Sequence, residues 1–163
     1  MRALSIQQPW AWAIAQGKKP VENRTWPTAY CGPVAIHASK KPDKDALGLI
    51  ASRDRYSPLV KAVAWHTRLW APPEYVYGAI LAVADLSGCH EWSECEDGAA
   101  EPDRGELRPC SPWAAKWQHH WVLGNVRRLA RPVPCRGALG LWRLPDDAGK
   151  AVLRQLDEEA GDD

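Results

Sequence analysis

Gly17, Lys18, Lys19, Pro20, Val21, Glu22, Asn23, Arg24, Thr25 and Trp26 follow an apolar helix-like run and precede a strand-like one. So much charge where a chain enters its core has two physical readings. Glu22 and Arg24 neutralise each other inside a fold, or the segment floors a site for an anionic, aromatic ligand such as a nucleotide. Lys19 stands before Pro20, which favours an extended or turn conformation. There it offers a phosphate or base contact, or a general base if burial lowers its pKa. The plainer reading is a solvated lysine beside Lys18.

Other candidates gather around this segment. Trp10 and Trp26 are stacking platforms if exposed and core filler if not. Gln8 is a candidate polar group of the same cleft. Ser39 and Lys40, after a strand, are placed to reach its mouth. His119 and His120 offer an acid or base, although paired histidines are common on surfaces. Cys89, His90, Cys95 and Cys110 are of zinc-ligand type, but they form no C-x-x-C knuckle. The default expectation there is a polar loop of reduced thiols, with no metal, and no cofactor is implied. Arg127, Arg128 and Arg131, with Arg136, form a basic rim or a solvated face.

The elements that must position these groups follow from periodicity. Ala3–Ile6 reads as a short edge strand. Pro9 suits a first helical turn, Trp10, Ala13 and Ile14 have helical spacing, and Gly17 fits a helix C-cap. Val21–Trp26 reads as a strand with Glu22, Arg24 and Trp26 on one face. Cys31, Gly32 and Pro33 turn into a strand over Val34–Ala38, and Ser39 starts a helix or a loop. Helices are expected over Lys44–Ala51 and Pro58–His66. Tyr77–Leu86, nearly all apolar, reads as a central strand. Cys89–Cys110 reads as a long polar excursion, and Ser111, Pro112 and Trp113 as the start of a short helix. His120–Val126 and Leu139–Leu144 read as closing strands, with Arg131–Pro134 extended. From Asp146 an amphipathic helix carrying Val152, Leu153 and Leu156 frays into an acidic end. Regular strand–helix alternation is absent, so the expectation is mainly β with helices (α+β): a small β-barrel decorated by an N-terminal helix, a helical insertion and a C-terminal helix.

The chain has 163 residues, enough for one domain with a sizeable core. Its net charge of +1 conceals an asymmetry: from Pro145 onward seven acidic and two basic residues leave −5, so residues 1–144 carry +6. A mildly basic body permits nucleic-acid binding without requiring it. The acidic end is a solvated tail, or a competitor with RNA for the same surface. Ten Trp and no Phe force most of the tryptophan into the core. No apolar run approaches the roughly 18–20 residues of a membrane span, and Met1–Ser5 lacks a signal-peptide core. The expectation is a cytoplasmic protein with no membrane partner and reduced cysteines.

Gly17, Lys19, Glu22 and Arg24 stand as G-x-K-x-x-E-x-R, which resembles the signature of the ASCH domain in the PUA-like superfamily. The likeness extends to Leu4–Trp10, Gly32–Ser39, Gly78–Leu86, His120–Leu123 and Arg136–Trp142, five further blocks in the right order. It implies a PUA-like pseudo-β-barrel over residues 1–144, with insertions at about 40–77 and 89–110 and an acidic extension over 145–163. It implies a cleft lined by the signature and RNA or a modified nucleoside as partner. The expected nucleotide-binding set is Gln8, Trp10, Lys19, Glu22, Arg24, Trp26, Ser39 and His120. Some members resemble small enzymes: ribonucleases, or amidohydrolases that act on N4-acetylcytidine through a lysine, a threonine and a glutamate. Lys19 matches that lysine, while Glu22 occupies the threonine position and Thr25 faces away. Asp85 stands in for the acid, which makes Lys19, Glu22 and Asp85 the catalytic candidates. The alternatives are thus a nucleotide-binding module, a nucleic-acid enzyme, and a scaffold that docks partners through the tail or the 89–110 excursion.

Overall fold

The computed structural model describes residues 1–52, 57–61, 74–95 and 109–161. Six strands form one sheet: β1 (Arg2–Ile6), β2 (Val21–Arg24), β3 (Gly32–Ala38), β4 (Ala79–Glu91), β5 (His119–Pro134) and β6 (Leu141–Arg143). Their order is β2-β5-β4-β3-β1-β6. The sheet curls into a half-barrel. Around it stand α1 (Trp10–Ala15), α2 (Lys44–Ser52) and α3 (Asp146–Ala160). Mixed α+β architecture was the expectation, and it holds.

The apolar run of β4 lies in the middle of the sheet because both of its faces are covered. Ile80, Ala82, Val83 and Ala84 are fully buried, with Ala82 and Ala84 packed towards α1 and Ile80 and Val83 towards α3. Burial of such a side chain contributes about 1.5–3 kcal/mol for Ile or Val. β1 is not an edge strand. It pairs parallel with β3 on one side and antiparallel with β6 on the other. The closing strand expected over His120–Val126 and the extended segment expected over Arg131–Pro134 are one strand. β5 stays paired to β4 across three irregularities that absorb mismatches in register.

Three further expectations change. Trp26 lies beyond the end of β2, so it does not continue the Glu22–Arg24 face. Residues 111–113 form a turn, not a helix: Ser111 Oγ accepts from Trp113 N–H, and Ser111 C=O accepts from Ala114 N–H. The acidic end is helical through Ala160 and docks by Ala148 and Val152. Gln155 ties it down as a strand would. Its Oε1 accepts from Arg131 N–H at 2.8 Å and its Nε2 donates to Arg131 C=O at 2.9 Å. Residues 58–61 are helical, and the remainder of the helix expected there lies outside the described residues, as does most of the 89–110 excursion.

Candidate functional site

The path from α1 to β2 explains the spacing of the signature. Gly17 has φ +65°, a conformation that glycine adopts without strain, and it ends α1. Gly17 N–H donates to Ile14 C=O, and the amides of Lys18 and Lys19 both donate to Ala13 C=O. This tight reversal turns the Lys19 side chain inward, where it is 3% exposed. β2 then starts, and alternation puts Glu22 and Arg24 on one face.

Glu22 is the bridge of the resulting cluster. Its Oε2 accepts from Lys19 Nζ at 2.6 Å, and its Oε1 lies 3.2 Å from Arg24 Nη2. Lys19 Nζ also donates to Val21 C=O, and Arg24 Nη2 donates to Ser5 C=O at 2.9 Å. Burial is the largest influence on Lys19 and lowers its pKa below the ordinary lysine value. Attraction and hydrogen bonding to Glu22 oppose that effect, and Arg24 adds to it. Arg24 Nε is buried without a hydrogen-bond partner. With Lys19 protonated the cluster has two cations and one anion, a surplus of one positive charge.

The cluster forms one wall of a cleft of about 640 Å³ that also carries Trp10, Asp43 and Trp113. The Trp10 and Trp113 rings meet edge to face at 6.3 Å, and Lys19 Nζ lies 5.9 Å from the Trp10 ring centre. Asp43 fixes Trp10 by accepting from its Nε1 at 2.8 Å, and it also accepts from Asp45 and Ala46 N–H at the start of α2. Burial would raise the Asp43 carboxyl. The hydrogen bonds from Ala46, Trp10 and Asp45 outweigh it and hold the group below its ordinary value. Pro112, Trp113, Ala115 and Gln118 also line the cleft, and their segment is held by Asn23, which donates to Trp113 C=O and accepts from Ala115 N–H.

Of the residues expected in the cleft, Trp10, Lys19, Glu22 and Arg24 come together there. Gln8 is fully buried and structural: it accepts from Trp12 N–H and donates to Val76 C=O. Trp26 packs edge to face on Trp121 at 4.6 Å, outside the cleft. Ser39 and Lys40 line a second cavity of about 950 Å³ beside His37, Arg136 and Gly137, and the Ser39 hydroxyl donates to Lys41 C=O. Asp85 binds Asn125 and Arg127 and does not border the cleft of Lys19. His120 is fully buried and faces Cys95 and Cys110. Trp113, Asn23 and Asp43 are among the cleft residues that sequence reasoning missed. The excess of Trp hinted at the first and Asn23 lies within the charged segment, but nothing local marked Asp43. The basic rim is partly neutralised: Arg127 pairs with Asp85 and Arg131 with Glu158 of α3.

The sequence that folds into this curled mixed sheet matches a known family. The ASCH domain family matches residues 4–133, and the chain belongs to it. The family is PUA-like and generally considered RNA-binding. The chain is 26% identical over 157 residues to human activating signal cointegrator 1, which is 93% of this chain but 24% of that protein. The chain thus spans about a quarter of that relative's length. Among solved structures it is similar to the ASCH protein of Zymomonas mobilis, with TM-score 0.50 and 13% identity over 94% of this chain and 93% of that one. A tyrosine-to-phenylalanine variant of the same protein gives TM-score 0.50 and 12% identity, covering 94% and 96%. At such identity the likeness concerns the fold. No helix among the described residues is long and apolar enough to cross a membrane.

Proposed function

We propose that the chain is an RNA-binding module whose Lys19 cleft holds one unpaired or modified nucleotide. The observation that carries this reading is the Lys19–Glu22–Arg24 cluster, with one positive charge in excess, lining the same cleft as two indoles. A phosphate fits the cationic wall, where the Arg24 side chain is partly exposed. A base fits against Trp10 and Trp113. The cleft volume of about 640 Å³ lies within the roughly 300–1,000 Å³ common for small-ligand sites. Glu22 orients both cations and is placed to accept from a base edge. Residues 1–144 are the binding unit in this reading, and the protein works in the cytoplasm.

The test is a fluorescence-anisotropy titration of labelled single-stranded RNA at low and moderate salt, with wild type, Arg24→Met and Trp113→Ala. Binding that weakens with salt and is clearly weakened in both variants supports the reading. Its absence from wild type at low salt, or its persistence in both variants, overturns it.

The lowered pKa of Lys19 favours a second reading, an amidohydrolase acting on N4-acetylcytidine-type nucleosides with neutral Lys19 as proton acceptor. Glu22 in the threonine position and the distance of Asp85 from the cleft leave that chemistry without its expected nucleophile and acid. Acetate release from N4-acetylcytidine by wild type, abolished in Lys19→Met, would establish it.

A further inference from the structure

The geometry points to a structural zinc site formed by His90, Cys95, Cys110 and His120, outside the cleft and independent of the RNA reading. The four donor atoms lie within 4.8 Å of one another. His90 sits near the end of β4 and His120 near the start of β5, paired directly across the two strands. Cys95 follows the turn of 3-10 helix at Trp92–Glu94, and Cys110 begins the segment that leads to the cleft wall. Strand alternation separates these ligands from Cys89, which packs against the apolar core instead. That swap, His120 for Cys89, is what irregular spacing along the chain concealed.

Three of the donor separations come close to what a tetrahedral ion requires. Cys95 Sγ is 3.6 Å from His90 Nε2 and 3.2 Å from His120 Nδ1, and Cys110 Sγ is 3.4 Å from His120 Nδ1. Zinc at about 2.3 Å from sulfur and about 2.0–2.1 Å from nitrogen sets neighbouring donors about 3.6 Å apart. His120 Nε2 lies 2.9 Å from Ala115 C=O, so that nitrogen carries the proton and Nδ1 turns its lone pair to the thiols. Trp92, buried, covers the His120 ring edge to face at 5.9 Å. Two thiolates and two neutral imidazoles leave a zinc complex with no net charge, which suits a half-buried place. Thiolate and imidazole together select zinc over harder cations, and four protein ligands leave no open position for catalysis.

The ion would tie Cys95 to Cys110 and hold the segment that follows Cys110. Ala115, which fixes His120, also donates its N–H to Asn23 beside the cleft. A metal here therefore sets the position of the wall that carries Trp113.

The experiment measures zinc content and thermal midpoint of the full chain, as purified, after chelation, and after adding Zn²⁺ back. One zinc per chain is expected, with a midpoint that falls on chelation and recovers with Zn²⁺. Cys110→Ser and His120→Gln lose stoichiometric zinc, while Cys31→Ser, which alters an exposed thiol, keeps it. Co²⁺ in place of Zn²⁺ shows thiolate charge-transfer absorption. Wild type that takes up no zinc and whose midpoint ignores Zn²⁺ refutes the site, even if the variants fail to fold. Equal zinc in wild type and Cys110→Ser refutes the ligand set.

Discussion

Lys19→Met keeps the length of the buried stem and removes the ammonium, so it isolates the effect of that charge. Burial outweighs attraction to Glu22 in the folded chain and holds the Lys19 pKa below 10.5. The unfolded chain then binds the proton more tightly than the folded one. Stability therefore rises with pH between the folded pKa and 10.5, and it falls as pH drops through the folded value. Inside that window the slope is about 1.4 kcal/mol per pH unit for a single proton. The assay is urea unfolding of wild type and Lys19→Met at steps from neutral pH to just below 10.5. The stability difference, wild type minus variant, should grow with pH. The Cys135 thiol, raised by burial and by Asp147, is common to both proteins and cancels. Tyr75, pushed up to about 12 in the folded chain by burial and by Tyr77, is likewise common to both and cancels. A flat difference would mean that Lys19 titrates as in the unfolded chain. A difference that shrinks with pH would mean that Glu22 dominates, and either result refutes the burial argument. The same cluster makes Glu22→Ala costly, by about 3–5 kcal/mol, because it strands two cations at a half-dry wall. Adding Lys19→Met should recover part of that loss.

Trp113→Ala should weaken RNA binding by about 1–3 kcal/mol if one base stacks there. Trp26→Ala should instead lower the thermal midpoint, since Trp26 packs on Trp121 outside the cleft; anisotropy and thermal melts separate the two. In Gly137→Ala the new Cβ would sit 2.4 Å from His37 Cε1 and 2.7 Å from Ser5 Oγ. His37 is buried and held to Cys135 C=O, so it cannot step aside, and a loss of about 1–3 kcal/mol is expected in urea unfolding. Gln155→Ala removes both partners from the Arg131 backbone and should cost about 1–3 kcal/mol. A melt that matches wild type would show that α3 docks by Ala148 and Val152 alone.

The parts of this fold that were legible in the sequence are those set by neighbours along the chain. The apolar run in β4 announced a strand covered on both faces. Gly17 announced the reversal after α1, and the charges behind it announced the cluster, since turn and alternation together are local rules. Failures began where a side chain answers to a distant partner. Gln8 looked like a cleft group because its type is polar, yet it satisfies backbone atoms of Trp12 and Val76 inside the fold. Trp26 shares the parity of Glu22 and Arg24, but β2 stops before it. Asp85 belongs to a cross-strand pair with Arg127 that no spacing encodes.

Register explains the deepest of these gaps. Pairing of β4 with β5 places His90 opposite His120 and Cys89 opposite Trp121. A shift of one residue would have put Cys89 among the ligands and left His90 in the apolar layer. That register survives three irregularities between the strands, none of which periodicity can foresee. The cleft depends on it too. His120 reaches Ala115, Ala115 reaches Asn23, and Asn23 holds Trp113 in the cleft that Lys19 also lines. One strand pairing therefore positions both the thiol–imidazole cluster and the aromatic wall of the cleft, so a perturbation at Cys110 should be felt at Trp113 without any change to the signature itself.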